Sequence, residues 1–378
     1  MAKKRLLAPW VGETRRSALY HTVSRTIHQK FLLGDVEKEQ FVKLMRRYEA
    51  FCGVRVLSFC VMSNHFHILL EVPPCMEESL SDEALLERLS LLYSDDYVAL
   101  IRLQLDELAR SDTEAGNAAH AKLREKFTCR MWDLGRFMQS LKQCFTHWYN
   151  ARHGCRGTMW EARYKSVLVE DGHAARVMAA YIDLNPIRAA MVKSPEKYRW
   201  CSYAEAVAGG KRGTLSRKGL ARVLEDRENQ GDSDSAYDGW EHYPTPEHYG
   251  WRSIAGRYRV ILFGDGEEII TDRAGNGENV KRRGFSTEEV EKEVENAGML
   301  GVAEILRCKT RSFVDGGVIG GKSFVQSVVE NLKGNYLKAD RKSGASKIPQ
   351  RGGRGKQGQK SKVGKRVGLW SMRRISLE

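Results

Sequence analysis

The sequence predicts an α+β fold in which helices cover one face of an antiparallel sheet. Up to residue 190, apolar patterns of strand and helix period alternate in the order strand, helix, strand, strand, helical insert, helix, strand, helix. Apart from the insert and the last helix, this is the βαββαβ order of a ferredoxin-like fold. The chain has 378 residues, of which 42% are hydrophobic, so it can bury a core in one large domain or two ordinary ones.

The first strand, helix and hairpin follow one another directly. Residues 18–26 alternate and are β-branched, which indicates a strand. A helix is predicted over 36–51 because its apolar residues share one face, and Gly53 ends it. Two apolar runs, 54–62 and 66–72, are separated by a turn-forming pair and therefore predict a hairpin.

The second half of the predicted core follows a helical insert. An acidic segment with leucines at helical spacing predicts an inserted helical pair at about 76–130. The core then resumes with a helix over 134–152 and a strand over 158–169. A last helix is predicted over 171–184, with Asp171 as its N-cap.

The sequence divides into three parts. A first domain is predicted over 1–205, a mixed helical and loop accessory region over 206–337, and a basic tail over 338–378. Within the mainly helical accessory region, the patterns predict loops at 225–247 and 264–283 and helices at 286–306 and 322–332.

The basic tail holds most of the positive charge of the chain. Residues 338–366 contain 11 basic and 1 acidic side chains, which is +10 of the formal net charge of +14. The segment has few large apolar residues and cannot offset its conformational entropy, so we expect the tail to be largely disordered. It is predicted either to bind phosphates in a salt-sensitive way or only to keep the protein soluble.

Composition also restricts the class of protein. The net charge of +14 indicates a polyanionic partner such as nucleic acid. Apolar runs such as 68–70 are far shorter than the roughly 20 residues of a membrane helix, and the N-terminus lacks the apolar core of a signal peptide. A cytoplasmic protein with no membrane contact is therefore expected. The 8 cysteines form no CxxC pair, which indicates reduced thiols and no structural zinc.

A His-x-His motif opens the second hairpin strand. Because strand side chains alternate, His65 and His67 are predicted to project from one face, while Phe66 packs on the other. Two such histidines can bind one divalent metal ion with a third ligand from elsewhere. By residue type alone, the pair is equally consistent with two half-buried strand histidines.

A tyrosine and an asparagine lie at the end of the last predicted helix. Tyr181 and Asn185 are four residues apart and share a helix face, which places a phenol beside an amide oxygen that can bind a metal ion. Taken alone, a helical tyrosine is more often a packing residue than a nucleophile.

Three stretches together resemble a known family. They are Val-Met-Ser-Asn-His-Phe-His-Ile-Leu-Leu at 61–70, Trp-Glu-Ala-Arg-Tyr-Lys-Ser at 160–166, and Tyr-Ile-Asp-Leu-Asn-Pro-Ile-Arg-Ala at 181–189. In order and spacing they are similar to the single-tyrosine HUH transposases of insertion-sequence type, and most of all to the REP-associated tyrosine transposases. The chain departs from that pattern at Ser63, where proline is usual, and at Ala180, where a basic residue is frequent.

The resemblance implies a DNA transposase, a metal-dependent strand transferase. Such an enzyme binds single-stranded or hairpin DNA, including palindromic ends, and cleaves and rejoins it through a 5′-phosphotyrosine intermediate. By position in the motifs, Tyr181 is the nucleophile, and His65, His67 and Asn185 hold Mg²⁺ or Mn²⁺. The first domain, 1–205, is then the catalytic domain, which would act as a monomer or homodimer.

Basic side chains near the implied site are predicted to contact DNA phosphates. They are Arg152, Arg156, Arg163 and Lys165, which flank the helix and strand beside it. Two alternatives remain at this stage. One is a domesticated, structure-specific DNA-binding protein without turnover, and the other is a metal hydrolase that forms no covalent intermediate.

Overall fold

The computed structural model describes most of the first 225 residues and parts of the remainder. The described residues are 6–10, 16–75, 80–111, 113–225, 250–266, 269–272, 278–282, 285–286, 288, 291, 313–314, 316–332, 345–347 and 369–373.

A seven-stranded sheet forms the centre of this described part. The described strands are β1 (Ala18–Arg25), β2 (Arg55–Val61), β3 (His65–Val72), β4 (Lys165–Val169), β5 (Ile269–Asp272), β6 (Glu278–Arg282), β7 (Gly316–Gly320), β8 (Ala345–Lys347) and β9 (Trp370–Arg373). The large sheet has the order β2-β3-β1-β4-β7-β9-β8. β1 pairs antiparallel with both β3 and β4, and β2 and β3 form the predicted hairpin. The predicted antiparallel βαββαβ core is confirmed.

The described helices lie on both faces of this sheet. They are α1 (Asp35–Cys52), α2 (Asp82–Ser90), α3 (Asp95–Arg110), α4 (Glu114–Thr128), α5 (Leu134–His153), α6 (His173–Asp183), α7 (Asn185–Arg188), α8 (Ser202–Ala208), α9 (Gly210–Leu224), α10 (Trp251–Gly266) and α11 (Lys322–Leu332).

The two helices of the βαββαβ core share one face, as predicted. Phe41 of α1 and Phe145 of α5 pack with Phe66 of β3 in one apolar cluster. Gly53 ends α1 in the left-handed conformation, with φ of 67°, which a glycine adopts without strain. The side chain of Asp133 caps α5 by accepting a hydrogen bond from the amide of Arg136.

The extra helices cover the opposite face. Leu69 of β3 faces this side because strand residues alternate, and it packs with α6, α8, α9 and α10. α6 is buried along nearly its whole length. The predicted N-cap of this helix is wrong by one residue, since Gly172 takes the cap position. The carboxylate of Asp171 instead accepts hydrogen bonds from the buried guanidinium of Arg222.

The insert differs from its prediction. It contains three helices, α2, α3 and α4, rather than a helical pair. Thr113 begins the additional helix by accepting a hydrogen bond from the amide of Gly116. This cap satisfies one of the first free amides of α4. The polar stretch that follows α3 therefore starts a separate helix.

Part of the accessory region and of the tail also differs from prediction. The loop predicted over 264–283 is wrong where it is described, because β5 and β6 form an antiparallel pair there. The predicted disorder of the tail is wrong for β8 and β9, which pair with each other and with β7 inside the large sheet. Burial of Met372 next to β7 supplies the apolar contact that the rest of the tail sequence lacks.

Other predictions for the downstream half have mixed outcomes. The helix predicted over 322–332 is confirmed by α11. The loop over 225–247 and the helix over 286–306 lie almost wholly outside the described residues. The domain boundary at 205 stays a prediction, although the large sheet takes strands from both sides of it.

None of the described helices is long and apolar enough to cross a membrane. The described cysteines are free thiols.

Candidate active site

The two motif histidines lie at the start of β3, on the face of the sheet that α6 covers. His67 is 2% exposed and His65 is half-buried. Their ring centroids are 5.0 Å apart and the rings are nearly perpendicular, at 79°. Phe66 is fully buried in the apolar cluster on the other face. The predicted separation of the histidines from Phe66 is confirmed.

A third histidine, His21 of β1, continues the site along the sheet. It is fully buried, and its Nε2 lies 3.0 Å from Nδ1 of His67. Its Nδ1 lies 2.7 Å from the backbone carbonyl oxygen of Phe313. The ring centroids of His21 and His67 are 5.2 Å apart and the ring planes differ by only 9°. With the two nitrogens 3.0 Å apart, the rings meet edge to edge.

The ring of His65 is held by its neighbour in the chain. Nδ1 of His65 lies 2.6 Å from Oδ1 of Asn64. Nδ2 of Asn64 donates to the carbonyl oxygen of Gln29 at 2.9 Å, which orients the amide and leaves Oδ1 as the acceptor. His65 therefore carries its hydrogen on Nδ1 and keeps the lone pair of Nε2 for a ligand.

Tyr181 of α6 packs against these histidines. The centroid of its ring is 5.7 Å from that of His67 at 88°, and 6.0 Å from that of His21 at 80°. The ring of Phe313 stacks on Tyr181 at 4.8 Å and 12°. The guanidinium carbon of Arg188 lies 5.0 Å from the centre of the Tyr181 ring. The tyrosine is only 4% exposed.

Asn185 stands one turn beyond the tyrosine, at the junction of α6 and α7. Its Nδ2 donates to the carbonyl oxygens of Tyr181 at 2.9 Å and Ile182 at 3.1 Å. These two bonds use the amide nitrogen, so Oδ1 is the atom that Asn185 can offer to a cation.

The donor set fits a divalent metal ion. Nε2 of His65 and Oδ1 of Asn185 are both lone-pair donors, and imidazole and amide groups are ordinary ligands of such ions. Among the described residues, no group of three or more His, Cys, Asp or Glu side chains is arranged to hold a metal ion.

Burial keeps the histidines uncharged at neutral pH. It lowers the pKa of His65 to about 4, with a smaller contribution from Arg25. Burial also lowers the pKa of His67 well below its ordinary value, assisted by His21, His65 and the two arginines Arg25 and Arg188. Neutral imidazole is the form that binds metal ions. The same two arginines therefore place positive charge beside the histidine pair.

The structure separates the four predicted DNA contacts. Lys165 begins β4 and pairs with Val23 of β1, which pairs in turn with His67, so all three residues project from the same face. Arg152 lies instead on α5, on the opposite face, 3.7 Å from a carboxylate oxygen of Glu37.

The other two predicted contacts lie between α5 and β4. Arg156 and Arg163 are exposed in the loop that joins these elements.

Sequence reasoning missed four residues of the site. They are His21, Arg25, Arg188 and Phe313. The first two lie on one face of the predicted strand β1, but their pairing with β3 is not a local property of the sequence. The position of Arg188 inside the third motif could have identified it as a site residue. No sequence feature could have identified Phe313, because it contacts a histidine 292 residues away.

In this fold, an antiparallel βαββαβ sheet carries a His-x-His pair that faces the helical Tyr181. Residues 14–97 match the family model described as Transposase IS200 like. The resemblance seen in the sequence is thereby confirmed for the segment that contains both motif histidines. Tyr181 and Asn185 lie beyond the matched residues.

A solved structure of a REP-associated tyrosine transposase bound to a REP hairpin is similar to this chain at 13% identity. The similarity covers 55% of this chain and 86% of that chain, with a TM-score of 0.34. No curated protein matches the sequence.

Proposed function

We propose that the protein is a transposase-like enzyme that cleaves and rejoins single-stranded or hairpin DNA through Tyr181. The observation that carries the proposal is the contact of the Tyr181 ring with the ring of His67, at 5.7 Å, on the sheet face where His65 also projects. This contact joins a nucleophile-bearing helix to a pair of metal-binding side chains from a different part of the chain.

The reaction is a transesterification at phosphorus. The Tyr181 oxygen loses its proton and attacks a DNA phosphorus in line, so that an O–P bond forms to the tyrosine. The bond from phosphorus to the 3′ oxygen breaks, and that oxygen takes up a proton to become a free 3′-OH. One phosphoester replaces another, so an incoming 3′-OH can reverse the step and reseal the strand.

His65, His67 and Asn185 would hold Mg²⁺ or Mn²⁺ in this reaction. When bound, the ion supplies polarisation of the scissile phosphate and offsets the charge that develops on its oxygens. The histidines contribute by remaining neutral at physiological pH, which burial ensures. Asn185 contributes by holding its amide against the end of α6, so that its oxygen keeps a fixed position relative to Tyr181.

Arginine and lysine side chains around the site would orient the DNA. Arg25 pairs with His65 across the sheet, and Lys165 lies in the same row as His67. Arg188 lies over the Tyr181 ring and its guanidinium can contact the phosphate under attack.

A labelled-oligonucleotide experiment tests the proposal. The protein is incubated with end-labelled hairpin DNA and Mn²⁺, and denaturing gels are read for a covalent adduct. The wild type and a Tyr97→Phe control, which alters a tyrosine of the helical insert, should both form the adduct. Tyr181→Phe should form none. Cleavage that persists in Tyr181→Phe would contradict the proposal and favour metal-dependent hydrolysis.

One observation favours the alternative of a DNA-binding protein without turnover. Tyr181 is only 4% exposed and lies beneath the ring of Phe313, so a phosphate reaches it only if this covering residue moves. The two functions separate in the same experiment. Hairpin binding without an adduct in Mg²⁺ or Mn²⁺ would support binding alone.

A further inference from the structure

We propose that His21 is a positioning residue that fixes the ring of His67 so that Nε2 of His67 presents its lone pair to the metal ion. The inference deepens the proposed function and rests on it. It also assigns a role to Phe313, whose backbone anchors His21 from the accessory region of the chain.

The backbone of Phe313 determines which nitrogen of His21 carries the hydrogen. Nδ1 of His21 lies 2.7 Å from the backbone carbonyl oxygen of Phe313. A carbonyl oxygen can only accept a hydrogen bond, so Nδ1 of His21 must carry the hydrogen. In a neutral imidazole the other nitrogen, Nε2, is then an acceptor.

His21 in turn determines which nitrogen of His67 carries the hydrogen. Nε2 of His21 lies 3.0 Å from Nδ1 of His67, and the angle between the two ring planes is only 9°. Because Nε2 of His21 accepts, Nδ1 of His67 must donate. The remaining nitrogen of His67, Nε2, is therefore unprotonated and free to bind a cation. Ligating histidines ordinarily donate from their second nitrogen to such an acceptor.

The alternative arrangement places a full charge in the core. If His21 donated from both nitrogens it would be an imidazolium, although it is fully buried between a carbonyl oxygen and an uncharged ring. Burial of a cation beside neutral groups is costly, so the neutral chain is favoured. His65 has the same arrangement with Asn64 as its acceptor. Both motif histidines are thus held by Nδ1.

Two substitutions of His21 test whether its acceptor nitrogen, Nε2, fixes the ring of His67. His21→Phe keeps a flat ring of similar size but removes both nitrogens. His21→Gln keeps a side-chain oxygen that can accept from Nδ1 of His67. Circular dichroism and thermal melting establish that each variant folds before any other measurement is read.

The first readout is independent of DNA and metal. Nitrogen-15 NMR of the histidines in the full-length, metal-free protein identifies which nitrogen of His67 is protonated. We expect Nδ1 in the wild type and in His21→Gln, and a shift toward Nε2 in His21→Phe. A wild-type His67 protonated on Nε2 would overturn the inference, whether or not any variant folds.

The second readout is the affinity for Mn²⁺, measured by calorimetry on the full chain. His21→Phe should bind Mn²⁺ about 10- to 100-fold more weakly, the usual effect of losing such a hydrogen-bond partner, and His21→Gln should recover most of the loss. Adduct formation by His21→Phe should need more Mn²⁺ for half-maximal rate but approach the wild-type maximum. Unchanged Mn²⁺ affinity in a folded His21→Phe would refute the role.

The two proposals fail separately. If the wild type binds Mn²⁺ with the expected dependence on His21 but forms no adduct, the proposed strand transfer is wrong and the role of His21 stands. If the adduct forms normally in His21→Phe at limiting Mn²⁺, the role of His21 is wrong and strand transfer stands.

Discussion

The side chains of Lys165 and Arg152 lie on different faces of the sheet, although the sequence predicted the same DNA-binding role for both. Lys165 projects from the face that carries His67, while Arg152 stands on the far side of the sheet beside Glu37. The proposed function therefore assigns a phosphate contact to Lys165 and none to Arg152.

Substitution of these two residues tests that distinction. Lys165→Ala should weaken binding of single-stranded DNA uniformly across sequences, and the slope of log affinity against log salt should become shallower by about 0.7, because one phosphate contact is lost. Arg152→Ala serves as the matched control and should leave the slope unchanged. Fluorescence anisotropy over a range of salt concentrations measures both. Equal effects of the two changes would place the DNA elsewhere.

The buried histidine of β1 makes stability depend on pH. Burial lowers the pKa of His21 to about 4, whereas the unfolded chain has the ordinary value of 6.5. Folding therefore disfavours the protonated form of His21. The stability that neutral His21 contributes is fully present above pH 6.5 and is lost as the pH falls to about 4.

A glutamine at this position does not titrate. Between about pH 6.5 and pH 4, wild type should lose free energy of unfolding relative to His21→Gln, by at most about 3 kcal/mol. Above pH 6.5 the two stability curves should run parallel. Urea denaturation across this pH range provides the measurement, and a constant difference between the proteins would show that His21 is not buried in neutral form.

Among the elements, helix α9 shows how the accessory region is attached to the large sheet. Gly219 lies so close to β2 that a Cβ built on it would be 2.7 Å from the carbonyl oxygen of Leu57 and 2.8 Å from that of Val56. These are backbone atoms, which cannot turn aside as a flexible side chain can.

Two alanine substitutions in helices should therefore have opposite signs. Gly219→Ala should lower the free energy of unfolding by about 1–3 kcal/mol, because α9 must move away from β2. Gly256→Ala in α10, where no atom lies within 4 Å of the added Cβ, should raise it by up to about 1 kcal/mol through helix propensity. Chemical denaturation tests the pair. Stabilisation by Gly219→Ala would mean that the helix does not rest on the strand.

Local patterns predicted the elements of the first half well, because they depend on neighbours in sequence. Alternation and helical spacing identified β1, the hairpin and α5, and alternation also set the two histidines apart from Phe66. The third helix of the insert escaped because its start depends on one cap, Thr113. In the site, the ligand and nucleophile types were readable from motifs, but the contacts of His21 with Phe313 arise from chain pairing that no local pattern encodes.

At the scale of the whole molecule, one sheet unites segments that the sequence assigned to three regions. β4 pairs in parallel with β7, and β9 pairs with β7 on its other side. A buried guanidinium also connects these regions, since Arg222 of α9 forms ion pairs with Glu71 of β3 at 3.0 Å and with Asp171 at 2.5 Å. The sheet that carries the histidine pair is therefore supported by residues far beyond 205.

Truncation tests this unity. A chain that ends at residue 337 loses β8 and β9, together with the buried side chains of Leu369 and Met372. Its free energy of unfolding should fall by about 3 kcal/mol, from the apolar burial that is lost. A chain that ends at residue 373 keeps both strands and should melt like the full protein. Thermal denaturation that leaves both truncations unchanged would show that β9 contributes nothing to the sheet.

The proposed function requires that Tyr181 and the two motif histidines form one reactive site. It is tested most directly by mass spectrometry of protein incubated with a cleavable hairpin oligonucleotide and Mn²⁺, followed by digestion and peptide mapping. We expect a nucleotide phosphate attached to the peptide that contains Tyr181, and its loss in His67→Ala, where the tyrosine is intact. Attachment to any other residue, or an undiminished Tyr181 adduct in His67→Ala, would contradict the claim.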